Sequence, residues 1–345
     1  MEYRRSLNRK RAFIAVFLLG AAVSIPLTLG FGVYKIGIPD AISVFLNHLF
    51  GNITDTRSDM FVWDVRLPRA LGAVILGAGL SVAGVVMQND FRNPLAEPYT
   101  MGISSGAFMG VVIAMVAGIS IVPGLTGQSA YTVNAFVFSM IPIAAILIIS
   151  KFRKVTPVAM ILIGIALMFL FNAVSQIMLL SSTAETLADA YAWRVGSTSK
   201  ITWDMLPIMV GVTIIVCTAM WLLSRKLDVM YAGDRGAQSL GVSPYILRVG
   251  TLVAVSLMTA AIVSISGTIG FIGLVGPHVA RIFVGSANRY LIPASAAFGG
   301  MFVAFADTVA KVTGPDGLPV GIICSMVGGP LFVYILIRRS SKVWM

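Results

Sequence analysis

Residues 98–150 read PYTMGISSGAFMGVVIAMVAGISIVPGLTGQSAYTVNAFVFSMIPIAAILIIS and contain no charged side chain. A helix needs about 20 apolar residues to cross the hydrocarbon core of a bilayer, so this stretch is long enough to cross twice. Pro123-Gly124 and the run Thr126 to Ser129 lie near its middle and are typical of a turn. The stretch therefore predicts two membrane-spanning helices joined by a short connection.

Charged residues divide the rest of the chain in the same way. The sequence is 57% hydrophobic and 11% charged, whereas a soluble domain carries about 25% charged residues. We therefore expect an all-α integral membrane protein with about ten transmembrane helices per subunit, forming a single transmembrane domain over residues 1–345. The predicted spans are residues 12–33, 68–88, 98–117, 132–150, 157–181, 204–224, 249–266, 270–285, 291–311 and 317–338.

One predicted span near residues 267–285 is short or broken. The segment 266–270 reads SGTIG, and Gly273, Gly276 and Pro277 follow closely. Non-helical backbone at membrane depth is tolerated only where protein or a water-filled cavity covers it. A helix, a non-helical stretch and a half-helix fit this pattern, and an ordinary kinked helix is the alternative.

Two short stretches suggest an inverted repeat of the kind found in transporters. Residues 81–84, SVAG, precede NPL at 93–95, and residues 264–267, SISG, precede GPH at 276–278. The first stretch lies in a span that runs inward, and the second lies in a span that runs outward. Chance similarity between such short stretches is the alternative.

The distribution of basic residues predicts the orientation. Cytoplasmic segments of membrane proteins are enriched in Lys and Arg. With the N-terminus inside, 18 of the 25 basic residues are cytoplasmic, and the other seven are Lys35, Arg57, Arg66, Arg69, Arg194, Lys200 and Lys311. The pattern predicts a multi-pass protein of the cell (inner or plasma) membrane with both termini in the cytoplasm.

The sequence lacks several signatures of enzymes and channels. No Gly-Lys dipeptide occurs, so there is no phosphate-binding loop, and HExxH is also absent. The two histidines, His48 and His278, lie far apart in sequence. We therefore expect no catalytic residue, no metal site, no cofactor bound by this chain and no nucleic-acid partner.

Few ionisable residues lie near the centres of the predicted spans, where an ion-coupled transporter usually needs them. Asp307 and Lys311 are the nearest candidates, and their i, i+4 spacing also predicts a local ion pair. This scarcity favours a permease that is energised by a separate subunit. An ion-coupled secondary transporter and a membrane scaffold without transport are the alternatives.

Three segments give the chain a resemblance to the FecCD-type permeases, the membrane subunits of ABC importers for ferric siderophores, haem and cobalamin. The first comprises Arg66-Leu-Pro-Arg69, residues 77–84, Gln88 and NPLAEP at 93–98. The second is residues 267–281, GTIGFIGLVGPHVAR. The third comprises residues 306–311, ADTVAK, with LPVG at 318–321 and GGP at 328–330.

The resemblance implies a set of partners. It implies a homodimer of two permease copies in the lipid bilayer, with two ATPase subunits on the cytoplasmic face. ATP and Mg²⁺ would bind to those ATPases, and an extracytoplasmic substrate-binding protein would dock outside. The implied cargo is an iron chelate, haem or cobalamin.

The resemblance also implies roles for individual residues. Docking of the binding protein falls on Arg66, Arg69 and Lys311, although Lys311 lacks the forked guanidinium that binds a carboxylate in two places. Contacts with the ATPase fall on Arg235, Ala237, Leu240 and Gly241, in the longest cytoplasmic connection. The cytoplasmic gate falls on Asn93, Pro94, Leu95, Thr156 and Pro157. The alternatives are interfacial anchors, a solvated loop and ordinary turns.

Overall fold

The computed structural model describes residues 2–32, 34–152, 155–314 and 317–339. The end of the first predicted span at Val33 and the predicted cytoplasmic residues Arg153, Lys154 and Lys342 lie outside these ranges. The described chain is helical and contains no β-strand. The helices are α1 Glu2–Leu29, α2 Ile38–Leu49, α3 Thr56–Asp59, α4 Leu67–Asp90, α5 Ile103–Ala117, α6 Gly127–Phe152, α7 Pro157–Leu180, α8 Ala184–Val195, α9 Leu206–Leu222, α10 Ser224–Val229, α11 Gly233–Ser239, α12 Pro244–Ser266, α13 Ile272–Val284, α14 Asn288–Val312 and α15 Val320–Arg339.

The expectation of an all-α membrane protein is confirmed. Six helical segments within the described ranges are long and apolar enough to cross a bilayer, or seven if α9 and the bent segment after it form one span. Three shorter apolar helices, α5, α13 and the first part of α15, accompany them. A helix lies over each of the ten predicted stretches, although the short helices make a count of ten approximate.

Helix α4 forms the centre of the bundle. A π-helical segment, Met60–Arg66, joins α3 to α4 without a break, and 78% of the most apolar window of this continuous helix is buried. The corresponding fraction for α7 is 22%. Helix α4 therefore packs against other helices, whereas α7 presents most of its surface to lipid or to a partner.

Small residues allow this close packing. A Cβ atom added at Gly84 would lie 1.9 Å from the carbonyl oxygen of Gly273 in α13. One added at Gly77 would lie 2.1 Å from the carbonyl oxygen of Gly299 in α14. Neither position accepts a side chain without separating the helices.

The predicted break after residue 266 is present. Helix α12 ends at Ser266, and α13 begins at Ile272. Gly267 has φ +72° and Phe271 has φ +68°, so the chain turns through the left-handed region on both sides of the gap. Helix α13 is therefore a separate short helix of 13 residues, and the alternative of a single kinked helix is wrong.

Several boundaries and elements differ from the sequence-based expectation. The span predicted at 98–117 begins later, because Pro98–Met101 forms a 3₁₀ turn and Gly102 has φ +84° before α5. Helix α1 ends at Leu29, before the predicted limit of 33. Helices α2, α3 and α8 lie in regions for which we predicted no span.

Contacts between distant segments define the two ends of the bundle. At the end that carries α8, Thr198 and the start of α4 meet the last turns of α14. At the end that carries α11, the last turn of α4 meets α10 and the start of α12. We refer to these as the α8 end and the α11 end.

Candidate functional site

A buried carboxylate organises the α8 end. Asp307 on α14 is completely buried and accepts hydrogen bonds from Arg69 Nε and from the Thr198 hydroxyl. Its Oδ1 lies 2.8 Å from Arg69 Nη2, and its Oδ2 lies 3.1 Å from Lys311 Nζ. Lys311 also donates to the Thr28 hydroxyl at 3.0 Å. The expected pair between Asp307 and Lys311 is present, and Arg69 joins it from 238 residues away.

Arg66 lies beside this cluster but bonds to backbone. Its side chain is 4% exposed, and its guanidinium donates to the carbonyl oxygens of Leu29 and Tyr34. Arg66, Arg69 and Lys311 together line a cavity of about 150 Å³ with Phe31, Tyr34 and Phe61. Three cations therefore line this space, and two of them also pair with the carboxylate of Asp307.

The three predicted docking residues thus lie close together. The sequence did not show that two of them already pair with the carboxylate of Asp307. Arg69 directs its Nε and Nη2 atoms to Asp307, so this face of the guanidinium is already occupied. Lys311 is 6% exposed. A partner carboxylate would have to reach these cations through the cavity, and their role in docking remains a prediction.

An ionic network joins three segments at the α11 end. Asp234 in α11 lies 3.2 Å from Arg92 Nη2 and 3.0 Å from Arg248 Nη2. Arg248, in α12, is buried and donates through Nε to the carbonyl oxygen of Asp90 at 2.9 Å. The Asp90 carboxylate accepts a hydrogen bond from the Thr251 hydroxyl at 2.6 Å. Helix α11 is thus tied to α12 and to the segment that follows α4.

The predicted ATPase contacts divide into two groups. Arg235, Leu240 and Gly241 are exposed at this end, and Leu240 retains 65% of its surface. Ala237 is completely buried and packs with the core of the bundle. This corrects the expectation for Ala237, because a methyl group without exposed surface holds α11 in place and offers a partner no contact.

Both predicted gate segments form hydrogen-bonded turns. Asn93 Oδ1 accepts the backbone N–H of Leu95 at 3.0 Å, which closes a turn around Pro94. Thr156 caps α7 by accepting the N–H of the third helical residue at 3.3 Å, and Pro157 occupies the first helical position. Within the described residues no hydrogen bond joins the two turns, and their role as a gate remains a prediction.

A further carboxylate at the α11 end links α10 to α14. Asp228 accepts the backbone N–H of Asn288 at 2.9 Å and its side-chain Nδ2–H at 2.8 Å. Burial raises the pKa of Asp228, and these two hydrogen bonds partly offset the shift. The carboxylate satisfies a donor at the start of α14, where helices have unpaired N–H groups.

Sequence reasoning did not single out Asp234 or Arg248 as functional residues. Asp234 stands within the predicted coupling loop, among the basic residues Arg225, Lys226, Arg235 and Arg248. The available signal was that this basic segment contains only two acids, Asp228 and Asp234. The partners of Asp234 could not be read from the sequence, because Arg92 lies 142 residues away.

Comparison with known proteins places this geometry in a family. The sequence model of the FecCD transport family matches residues 18–338. The chain belongs to this family. It is 34% identical to the hemin transport system permease protein HmuU of Yersinia pestis, over 84% of this chain and 87% of the relative. It is 32% identical to the vitamin B12 import system permease protein BtuC of Klebsiella pneumoniae, over 85% and 87%.

A solved structure supports the same assignment. The chain of a protein assigned as a metal-chelate-type ABC transporter, in an inward-facing conformation, has a TM-score of 0.83 and 27% identity. The match covers 95% of this FecCD chain and 99% of the other. This chain is therefore a permease of the ABC-importer type, as the resemblance predicted, and the ion-coupled alternative gains no support from its relatives.

Proposed function

We propose that this protein is the transmembrane permease subunit of an ABC importer for an iron chelate, haem or cobalamin. The observation that carries the proposal is the family match over residues 18–338. Relatives named for hemin and vitamin B12 transport align with more than four fifths of this chain. The bulky cargo would pass through the permease, and a substrate-binding protein would supply most of the selectivity.

In this proposal the α11 end faces the cytoplasm and the α8 end faces outward. The bias of basic residues supports this orientation. Two copies of the chain would form the pathway, and two ATPase subunits, with their ATP and Mg²⁺, would bind at α11. Arg235, Leu240 and Gly241 would contact the ATPase, because they are the exposed members of the predicted set.

The ionic network around Asp234 supports a specific route for coupling. A displacement of α11 by the ATPase would act on Arg92 and Arg248 through the shared carboxylate. Arg92 immediately precedes the predicted gate residues Asn93, Pro94 and Leu95. The network would therefore transmit movement of the ATPase to the cytoplasmic gate.

The cavity at the α8 end would receive an acidic side chain of the binding protein. Arg66, Arg69 and Lys311 carry three positive charges against the single carboxylate of Asp307. An incoming carboxylate would balance part of this excess, and such charge-assisted hydrogen bonds are strong in a site shielded from water. The same residues would thus hold the structure together and recognise the partner.

Reconstitution tests the proposal directly. The purified permease is placed in liposomes with or without its ATPase and binding protein, and uptake of labelled ferric siderophore, haemin or cobalamin is followed. We expect uptake of one of these substrates only when both partners and ATP are present. Uptake by the permease alone under an ion gradient would overturn the proposal.

One variant tests the coupling route within the same system. Asp234→Asn removes the negative charge that both arginines share, and we expect ATP hydrolysis to continue while substrate uptake per ATP falls. Ser239→Ala, a change on the exposed side of the same helix, is the matched control. An unchanged ratio of uptake to hydrolysis in Asp234→Asn would rule out this route.

A further inference from the structure

A cavity of about 510 Å³ lies next to α11 and has no part in the proposed pathway. The last turns of α9, the start of α10 and the first half of α12 enclose it. Its walls are mostly apolar and include Met220, Leu223, Ile246 and Ala254. The turn after α11 contributes Gly241 and Val242. The space therefore joins the membrane-facing side of the bundle to the segment proposed to contact the ATPase.

In the proposed orientation, the cavity runs from the cytoplasmic ends of α9 and α12 toward the membrane interior. Its lining along α12 runs from Ile246 to Ala254, which corresponds to about 12 Å of helix. Ile246 is 70% exposed, and Leu222, at the end of α9, is 71% exposed. Such apolar surface at the end of two predicted spans suits contact with hydrocarbon rather than with water.

A single charged residue lines this cavity. Lys226, in α10, is exposed and makes no ion pair with any residue in the described ranges. The Thr251 hydroxyl in the wall already donates its one hydrogen to the Asp90 carboxylate at 2.6 Å. An uncommitted cation at the mouth of an apolar cavity complements an anionic head group attached to an apolar chain.

We propose that this cavity binds an anionic phospholipid, with one acyl chain against α9 and α12 and the phosphate on Lys226. Basic residues at a membrane surface favour anionic lipids by charge, and the apolar walls accept a hydrocarbon chain but no polar peptide. The bound lipid would contact the turn at Gly241 and Val242 and brace the segment that follows α11. The inference depends on the proposed function only for assigning the lipid to the cytoplasmic leaflet.

Substitution of Gly250 by a larger residue is suited to filling the cavity. A Cβ atom added at Gly250 would meet no atom within 4 Å, and Gly250 lines the space. The Cβ atom of a leucine at this position would displace no neighbour, and the rest of its side chain would take up part of the space proposed for an acyl chain. Ala254→Leu, one helical turn further along α12, is a second variant of the same kind.

Native mass spectrometry of the purified permease tests the proposal, with phosphatidylglycerol or phosphatidylcholine of the same acyl chains added to the detergent. We expect phosphatidylglycerol to be retained preferentially. Lys226→Gln should weaken its retention about fivefold, the effect of one basic residue at an anionic surface. Arg225→Gln is the control, because Arg225 is exposed beside Lys226 but does not line the cavity. Gly250→Leu should reduce the retention of both lipids.

The proposal would be overturned if phosphatidylglycerol and phosphatidylcholine were retained equally. It would also be overturned if Lys226→Gln and Arg225→Gln had equal effects, because lipid retention would then depend only on the general positive charge of this surface. Unchanged retention in both Gly250→Leu and Ala254→Leu would show that no chain enters the cavity and would also overturn it. Variants are compared only at an unchanged melting temperature, and Ala254→Leu replaces Gly250→Leu if the latter does not fold. Because no ATPase, binding protein or substrate is present, the result is independent of transport.

Discussion

Replacement of Asp307 by asparagine is the most informative test of the α8 end. The side chain is completely buried, and its two oxygens lie 2.8 Å from Arg69 Nη2 and 3.1 Å from Lys311 Nζ. At an effective dielectric constant of about 20, each such pair contributes roughly 4 kcal/mol of attraction. The cost of removing these charges from water cancels much of this gain in the intact cluster.

Asp307→Asn loses the attraction between the carboxylate and the two cations, but the free-energy cost of keeping these cations away from water remains. Lys311 stays buried beside Arg69 with no carboxylate between them, and removing one partner of a buried pair typically costs about 3–5 kcal/mol. For a chain of this size we expect the melting temperature in detergent to fall by roughly 5 °C or more. The measurement is thermal unfolding of the purified permease by intrinsic fluorescence.

Two further variants make the result specific. Glu185→Gln removes an exposed acid from α8 at the same end and should change the melting temperature little. Adding Lys311→Met to Asp307→Asn removes one of the unpaired cations and should restore part of the lost stability. If Asp307→Asn melts like Glu185→Gln, the carboxylate does not hold the two cations and the reasoning is wrong.

Three further predictions concern packing, hydrogen bonding and pH. Gly84→Val should reduce the yield of monodisperse protein in gel filtration, because its Cβ would lie 1.9 Å from a carbonyl oxygen of α13. The control is Gly211→Val, whose Cβ meets no atom within 4 Å. Equal yields of the two variants would contradict the packing. Asn134→Ala should lower the free energy of unfolding by about 2 kcal/mol, because the asparagine side chain donates to two carbonyl oxygens and accepts the N–H of Ile121. A melting temperature equal to that of the wild type would contradict this. The pKa of Asp228 lies above its ordinary value of 3.8, so the folded protein binds a proton at this carboxylate more tightly than the unfolded chain does. The stability advantage of the wild type over Asp228→Asn should therefore shrink as the pH rises from about 4 through the raised pKa. A constant or growing advantage between pH 4 and 7 would contradict the shift.

Much of the membrane architecture could be predicted from local sequence. The absence of charge over residues 98–150 and the turn near Pro123 gave two helices, and the structure has α5 and α6 there. Gly267 and the glycines that follow it marked the break between α12 and α13. These features depend on the chemistry of neighbouring residues, which is why they can be read along the chain.

The start of α5 could not be predicted from hydropathy along the chain. The 98–102 segment is apolar and uncharged, so hydropathy extends the span to residue 98. The backbone instead makes a 3₁₀ turn and passes through a left-handed glycine. Hydropathy reports the environment of a segment but not its backbone conformation.

By itself, the sequence determined that the chain is an all-α membrane protein, approximately where its helices lie, where the chain breaks after residue 266 and which family it resembles. Each of these depends on composition, spacing or a local motif. Only the tertiary structure decided that Asp307 joins Arg69 to Lys311, that Asp234 joins Arg92 to Arg248 and that Ala237 faces the core. These contacts connect residues on different helices, and the pairing of helices depends on the packing of the whole bundle.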